Sequence, residues 1–212
     1  NQFVMLISEA NEKKTALSKY INSNTKLQEV VQYKNNSVWG VRSRNKEQLF
    51  ALNLLMDPNI PIVSLVGKAG SGKTLLATAA GLQQVMEQDN EPMYKRLIIS
   101  RPIQPLGNDI GFLPGTMQEK MAPWLMPIQD NLQFLMGDDK STLEMYVDKG
   151  IIEIEALTYI RGRSISNAFI IIDEAQNLTT HEIKTIITRV GEGTKIVFTG
   201  DIDQIDNVYV DA

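Results

Sequence analysis

Cysteine is absent from this 212-residue chain, and histidine occurs once, as His181. Without cysteine there is no disulfide framework, no thiolate zinc site and no cysteine nucleophile. One histidine cannot form a histidine metal cluster, and it argues against a Ser-His-Asp triad. No apolar run approaches the roughly 18 residues of a membrane-spanning helix. No charged-then-apolar leader opens the sequence, so no membrane partner is expected and the cytoplasm is the default compartment. The chain opens on Asn1 instead of Met, which reads as a piece of something longer. An excess of positive charge is missing too, since 21 basic residues stand against 25 acidic ones. That argues against coating nucleic acid by bulk charge, although a narrow groove with a few Lys and Arg would still serve.

The chain has 43% hydrophobic and 22% charged residues, an ordinary globular composition that can bury a core unaided. Its charge is uneven: residues 1–50 carry eight basic and four acidic side chains, the remainder thirteen and twenty-one. The opening third has a strand-like run, Phe3–Ile7, and weaker segments Ala16–Ile21 and Leu27–Val31 around a turn at Asn22-Ser23-Asn24. This predicts a small β-rich N-terminal appendage over residues 1–36, with the main domain over 37–212.

From Arg44 onward the pattern changes. A helix around Gln48–Leu55 closes at Asp57-Pro58. The uncharged run Ile60–Val66 reads as a strand buried on both faces. A helix over Leu75–Met86 and a strand over Arg96–Ser100 follow, then an irregular stretch and a Pro-interrupted helix around Trp124–Leu135. Ile151–Ile154, Phe169–Ile172 and Lys195–Thr199 read as further strands, and Thr180–Val190 as a helix. Buried strands alternating with helices predict an α/β fold, a parallel sheet with helices on both faces.

Gly67-Lys68-Ala69-Gly70-Ser71-Gly72-Lys73-Thr74 satisfies G-x-x-x-x-G-K-[ST] between a predicted strand and a predicted helix. The glycines let backbone N–H groups turn inward around a phosphate, and the helix start adds partial positive charge. Lys73 would reach the β- and γ-phosphates, and Thr74 would set its hydroxyl on Mg²⁺. The bland alternative is a glycine-rich turn with no ligand. Asp173 ends the run Phe169–Ile172 and is placed to reach the same metal, while Glu174 would orient and deprotonate an attacking water. Alone, the pair could equally be a helix cap and a first-turn acid. Thr199 and Gln204, after the last strand, could sense the γ-phosphate; a simple turn at Gly200-Asp201 is the alternative. Gln48 could pair with the adenine edge, selecting ATP over GTP, or merely face solvent.

Together these residues resemble the PhoH family of P-loop ATPases. The resemblance rests on Arg44–Gln48, Gly67–Thr74, Ser100-Arg101-Pro102, Gly111-Phe112-Leu113-Pro114-Gly115, Arg161–Ser164, Asp173–Gln176 and Thr199–Asp206. It runs from about Val38 to the end, and is nearest the branch in which a PIN ribonuclease domain precedes the ATPase. It implies a core similar to the RecA-like first motor domain of helicases, ATP and Mg²⁺ as ligands, and ATP-dependent work on RNA. It also implies a homo-oligomer, a hexameric ring among the forms it admits.

Arg101, Arg161 and Arg163 are candidates for contacting RNA or for completing a neighbouring subunit's site; the alternative for Arg161 and Arg163 is a solvated loop pair. Arg42, Arg44, Arg96 and Arg189 are expected on other surfaces. Trp124 and Phe134 are expected in the core more than as base-stacking residues. Asp138-Asp139 reads as a solvated loop. The leading function is an ATPase coupled to RNA; the alternative is a slow, nucleotide-switched binding or assembly module. A small-molecule kinase is disfavoured by Glu174.

Overall fold

The computed structural model describes residues 2–21, 26–33, 37–86, 91–102, 117–137, 139–160, 164–207 and 210. Strands β6 (Ile62–Val66), β7 (Arg96–Arg101), β8 (Ile152–Ala156), β9 (Ala168–Ile172) and β10 (Lys195–Gly200) form one sheet in the order β6-β10-β9-β7-β8. Every pairing in that sheet is parallel. Parallel neighbours need crossovers, and helices supply them on both faces. One face buries Leu97, Ile99, Phe169, Ile171 and Val197 under α1 (Lys46–Met56), α2 (Lys73–Val85), α3 (Met117–Leu135) and α4 (Lys140–Asp148). The other buries Ile98, Ile170, Ile172 and Ile196 against α5 (Leu157–Ile160) and α6 (Thr180–Ile187). The predicted α/β class is therefore observed, in the P-loop NTPase arrangement: a glycine-rich loop joins β6 to α2, and β10 stands between β6 and the acidic-ended β9.

Local chemistry sets the helix ends. Asn45 caps α1 by accepting from the Gln48 N–H, and Asp57-Pro58 stops it. A reciprocal capping box, Thr179 with Glu182, starts α6. Asp138 lies outside the described residues; Asp139 is exposed and outside the helix, as read, but its carboxylate accepts from the Ser141 and Thr142 N–H groups and so caps the unanticipated α4. Those hydrogen bonds, chiefly from the Ser141 and Thr142 side chains, hold its carboxyl down at about 2. Another departure is β6. Val63 and Leu65 are buried, but Ile62 and Val66 are 46% and 64% exposed, because β6 is an edge strand covered on one face alone.

At the N-terminus β1 (Gln2–Ser8), β2 (Asn11–Ile21) and β3 (Lys26–Glu29) form a separate antiparallel sheet. It rests on α1. Phe3 stacks on Phe50 with ring centroids 4.5 Å apart, and Lys19 pairs with Asp57 at 2.7 Å. Asn53 accepts from the Val31 N–H at 3.0 Å and donates to the Val31 carbonyl at 3.1 Å. A two-stranded hairpin, β4 (Ser37–Val38) and β5 (Val41–Arg42), precedes α1.

Beneath α1 lies a buried charge. The wholly buried Lys195 ammonium donates to the carbonyls of Leu54, Asp57 and Ile60 at 2.9, 2.8 and 2.8 Å. Leu54 needs this donor, since its partner one turn on is Pro58, which has no N–H. Burial pushes Lys195 down to about 8, with Asp57 pulling against the shift. Tyr33 donates to the Leu52 carbonyl nearby, and burial with the Asp57 charge pushes it up to about 12.

Candidate functional site

The carboxyl ends of β6, β9 and β10 meet at the N-terminus of α2. There the chain must turn sharply without a side chain in the way. Gly70 and Gly72 have φ of +74° and +86°, the left-handed region that glycine enters freely. Gly72 is also the α2 cap residue and offers no side-chain acceptor, so nothing from a cap side chain occupies the first-turn N–H groups. Such an end suits an anion. Lys73 folds back over the loop, its ammonium donating to the Gly67 carbonyl at 2.5 Å and the Lys68 carbonyl at 3.0 Å. Ser71 N–H donates to the Lys68 carbonyl at 3.2 Å, and Ala69 and Gly70 stand exposed at the loop's crest.

Asp173 faces this loop from the end of β9. Its Oδ1 accepts from the Thr74 hydroxyl at 2.7 Å and from the Thr199 hydroxyl at 2.6 Å. Thr74 and Asp173 are 99 residues apart in sequence. Thr199, read as a γ-phosphate sensor, is wholly buried, and its hydroxyl is turned to the Asp173 carboxylate. Glu174 has φ of +53°, a left-handed backbone unusual for a non-glycine residue. Its Oε1 lies 3.3 Å from Arg101, and its Oε2 accepts from Gln176 at 2.7 Å. Arg101 thus meets Glu174 within its own chain. Gln204 lines the same hollow, exposed, with its carbonyl accepting from Gln176 at 3.1 Å.

These groups surround a hollow of about 270 Å³ whose lining includes Lys73, Thr74, Asp173, Glu174, Asp201 and Gln204. Two polar residues of the lining, Asp201 and Asn131, had no site role of their own in the sequence reading. Asp201 accepts from the Ala69 N–H at 2.7 Å and so bridges β10 to the loop. Asn131 reaches in from α3, and no spacing in the sequence singles it out. Within this lining one lysine faces three carboxylates. A polyphosphate would bring more negative charge, so a hard divalent cation is needed to balance it. The Thr74 hydroxyl and the Asp173 carboxylate fit Mg²⁺, which favours oxygen donors. Among the described residues no cluster of three His, Cys, Asp or Glu forms a metal cage, and Mg²⁺ held by few protein oxygens completes its shell with water and phosphate oxygens.

A second hollow of about 430 Å³ adjoins the first through Gly70, Gly72 and Leu75. Arg42, Arg44, Gln48 and Phe134 line it. Arg42 and Arg44 were expected on other surfaces; the β4–β5 hairpin brings them beside the loop instead. Phe134 is 65% exposed there, not in the core, while Trp124 is half-buried. Gln48 does reach the loop, donating to the Ser71 carbonyl at 3.0 Å and accepting from the Arg44 N–H at 2.7 Å. Its amide is therefore turned first to backbone. Arg96 pairs with Glu153 at 2.8 Å, away from both hollows. Arg161 and Arg163 lie outside the described residues, as does the Gly111–Gly115 motif.

A family model described as PhoH-like protein matches residues 40–211. The chain is similar to Protein PhoH2 of Bacillus subtilis strain 168, at 50% identity over 214 residues, covering 100% of this chain and 48% of that protein. It is 42% identical over 174 residues to Protein PhoH2 of Thermobispora bispora, covering 82% of this chain and 39% of that protein. The chain thus spans less than half the length of these curated relatives. Among solved structures, the Sulfolobus solfataricus SWI2/SNF2 ATPase core in complex with dsDNA aligns with a TM-score of 0.45 and 15% identity, over 79% of this chain and 34% of its own. No helix among the described residues is long and apolar enough to cross a membrane.

Proposed function

The chain belongs to the PhoH family, and from that premise we propose that it binds ATP at the Gly67–Thr74 loop and hydrolyses it. The observation that carries this reading is the meeting of Thr74 and Asp173 at 2.7 Å, with Glu174 next in sequence, at the head of α2. In this reading the loop N–H groups and Lys73 hold the phosphates. Thr74 and Asp173 would hold Mg²⁺, which when bound neutralises phosphate charge. Thr199 and Asn131 act from the flanks, one fixing Asp173 and the other facing the phosphate chamber. Glu174 takes the proton of the attacking water. The hollow lined by Gln48, Arg44 and Phe134 has room for a base, and Phe134 offers it a ring face.

The proposal extends to RNA as the polymer acted on, to a PIN nuclease module in the full-length protein, and to a ring-shaped homo-oligomer in the cytoplasm. Those parts rest on family resemblance. So does the division into an appendage, 1–36, and an ATPase domain, 37–212; the family match begins at residue 40. With Arg101 already beside Glu174 in its own chain, Arg161 and Arg163 are the stronger candidates for a site shared between subunits.

A slow nucleotide switch is the second reading, and one observation favours it: both oxygens of Glu174 are engaged, by Arg101 and Gln176. Phosphate release, measured with and without RNA, separates the two. Hydrolysis that falls about 10²–10⁴-fold in Glu174→Gln, with ATP binding retained, supports the enzyme. Binding without release under either condition supports the switch.

A further inference from the structure

Gln176 has no role in the hydrolysis reading above, yet it touches three parts of the site. Its Oε1 accepts from the Asp201 N–H at 3.2 Å. Its Nε2 donates to Glu174 Oε2 at 2.7 Å and to the Gln204 carbonyl at 3.1 Å. Both ends of the amide are therefore committed, which locks its rotamer. The fit is close: a Cβ at Gly200 would stand 2.8 Å from Gln176 Oε1 and 3.2 Å from its backbone N, so a side chain there would push the amide aside.

Asp201 continues the connection, since its carboxylate accepts from Ala69 N–H in the phosphate loop at 2.7 Å. Three successive hydrogen bonds thus run from Ala69 through Asp201 and Gln176 to Glu174. Glu174 sits in a left-handed backbone conformation, φ +53° and ψ +39°, so side-chain partners must hold its aim against an unfavourable backbone. Arg101 holds one oxygen at 3.3 Å and Gln176 the other.

We propose that Gln176 is a positioning residue that ties the aim of Glu174 to the state of the phosphate loop, through Asp201. The proposal rests on the assignment of Glu174 as the base in ATP hydrolysis. A phosphate that draws on the Ala69 N–H competes with Asp201 for that donor. The resulting shift of Asp201 is passed by Gln176 to the carboxylate facing the water. The device makes the base respond to what the loop holds.

The test is Gln176→Met, which keeps side-chain length and removes donor and acceptor together. Displacing a reacting group by about 1 Å can cost on the order of 10²-fold, so kcat should fall about 10- to 100-fold. KM and the affinity for a fluorescent ATP analogue should stay within about twofold, because Gln176 faces no phosphate-loop N–H. Asp201→Ala should slow turnover as well, and Asp201→Asn, which keeps an acceptor for Ala69, should restore much of it. In a connected chain, Gln176→Met combined with Asp201→Ala is no worse than the worse single variant. Multiplying losses, an unchanged kcat, or a loss confined to KM would overturn the proposal. If the unmutated chain binds ATP yet releases no phosphate, the hydrolysis reading fails and hydrogen exchange decides this one. A non-hydrolysable ATP analogue should then change exchange at residues 174–177 in the unmutated chain and not in Gln176→Met. Equal changes in both would overturn it.

Discussion

Replacing Lys195 by Met tests whether the buried ammonium under α1 is stabilising on balance. The variant removes the donor from three carbonyls, those of Leu54, Asp57 and Ile60. The Asp57 carbonyl keeps the Ile60 N–H at 3.2 Å, so the loss falls mainly on the other two. A buried polar group left without its partner costs about 1–3 kcal/mol, or about 5 kcal/mol in all here. Against this, the variant no longer strips water from a charge. A native value of about 8 against the ordinary 10.5 corresponds to a penalty of about 3 kcal/mol at neutral pH. The net deficit at pH 7 is therefore about 2 kcal/mol.

The pH dependence gives the prediction its edge. Below pH 8 the amine is charged in both folded and unfolded chains, and the penalty is fully present. Between about 8 and 10.5 the native amine loses its proton first, so the unfolded chain binds more protons and stability rises with pH. Methionine cannot gain from this. The deficit of Lys195→Met should grow from about 2 kcal/mol at pH 7 toward about 5 kcal/mol near pH 10.5. Urea unfolding of both proteins across this range measures it. Tyr33, held up at about 12, lowers stability above pH 10 in both proteins alike and cancels in the difference. A deficit that is flat or shrinks with pH would refute the reasoning, and would mean that the three carbonyls hold the charge more strongly than burial opposes it.

Lys73→Ala removes the cation over the loop and should weaken ATP binding about 10- to 100-fold, the worth of a charge-assisted contact; calorimetry showing unchanged affinity would count against the site. Thr199→Val keeps the shape but deletes the 2.6 Å bond to Asp173, so the Mg²⁺ concentration for half-maximal ATP binding should rise about tenfold, as a Mg²⁺ titration would read. In Gly81→Ala the new Cβ would stand 2.7 Å from Leu97 and 3.1 Å from Phe169, and overpacking of α2 on the sheet should cost about 1–3 kcal/mol in chemical unfolding. Phe134→Ala should weaken ATP severalfold and leave inorganic pyrophosphate untouched, because the ring lines the adjoining hollow and not the phosphate chamber.

The amino-acid sequence by itself determined the elements and the phosphate loop. Strand and helix periodicities are local, and a P-loop is eight consecutive residues whose backbone turn depends on its own glycines, Gly70 and Gly72. The place of Asp173 and Glu174 was legible for a similar reason: the uncharged run Phe169–Ile172 reads as a strand, and the residues that follow a parallel strand stand at the sheet's carboxyl edge. Even α4 had a local signature in Asp139, an exposed residue of a type that caps helices. What only the tertiary structure decided is which distant groups share a carboxylate or a hollow. No periodicity could assign Thr199 to Asp173, join Asp201 to Ala69, or bring Arg42 and Phe134 to one hollow, because strand order is set by how helices pack across the sheet. The same holds for β6, whose uncharged sequence suits either a central or an edge strand. Ile62 and Val66 are exposed because β6 is covered on one face alone, and only packing decides which faces are covered.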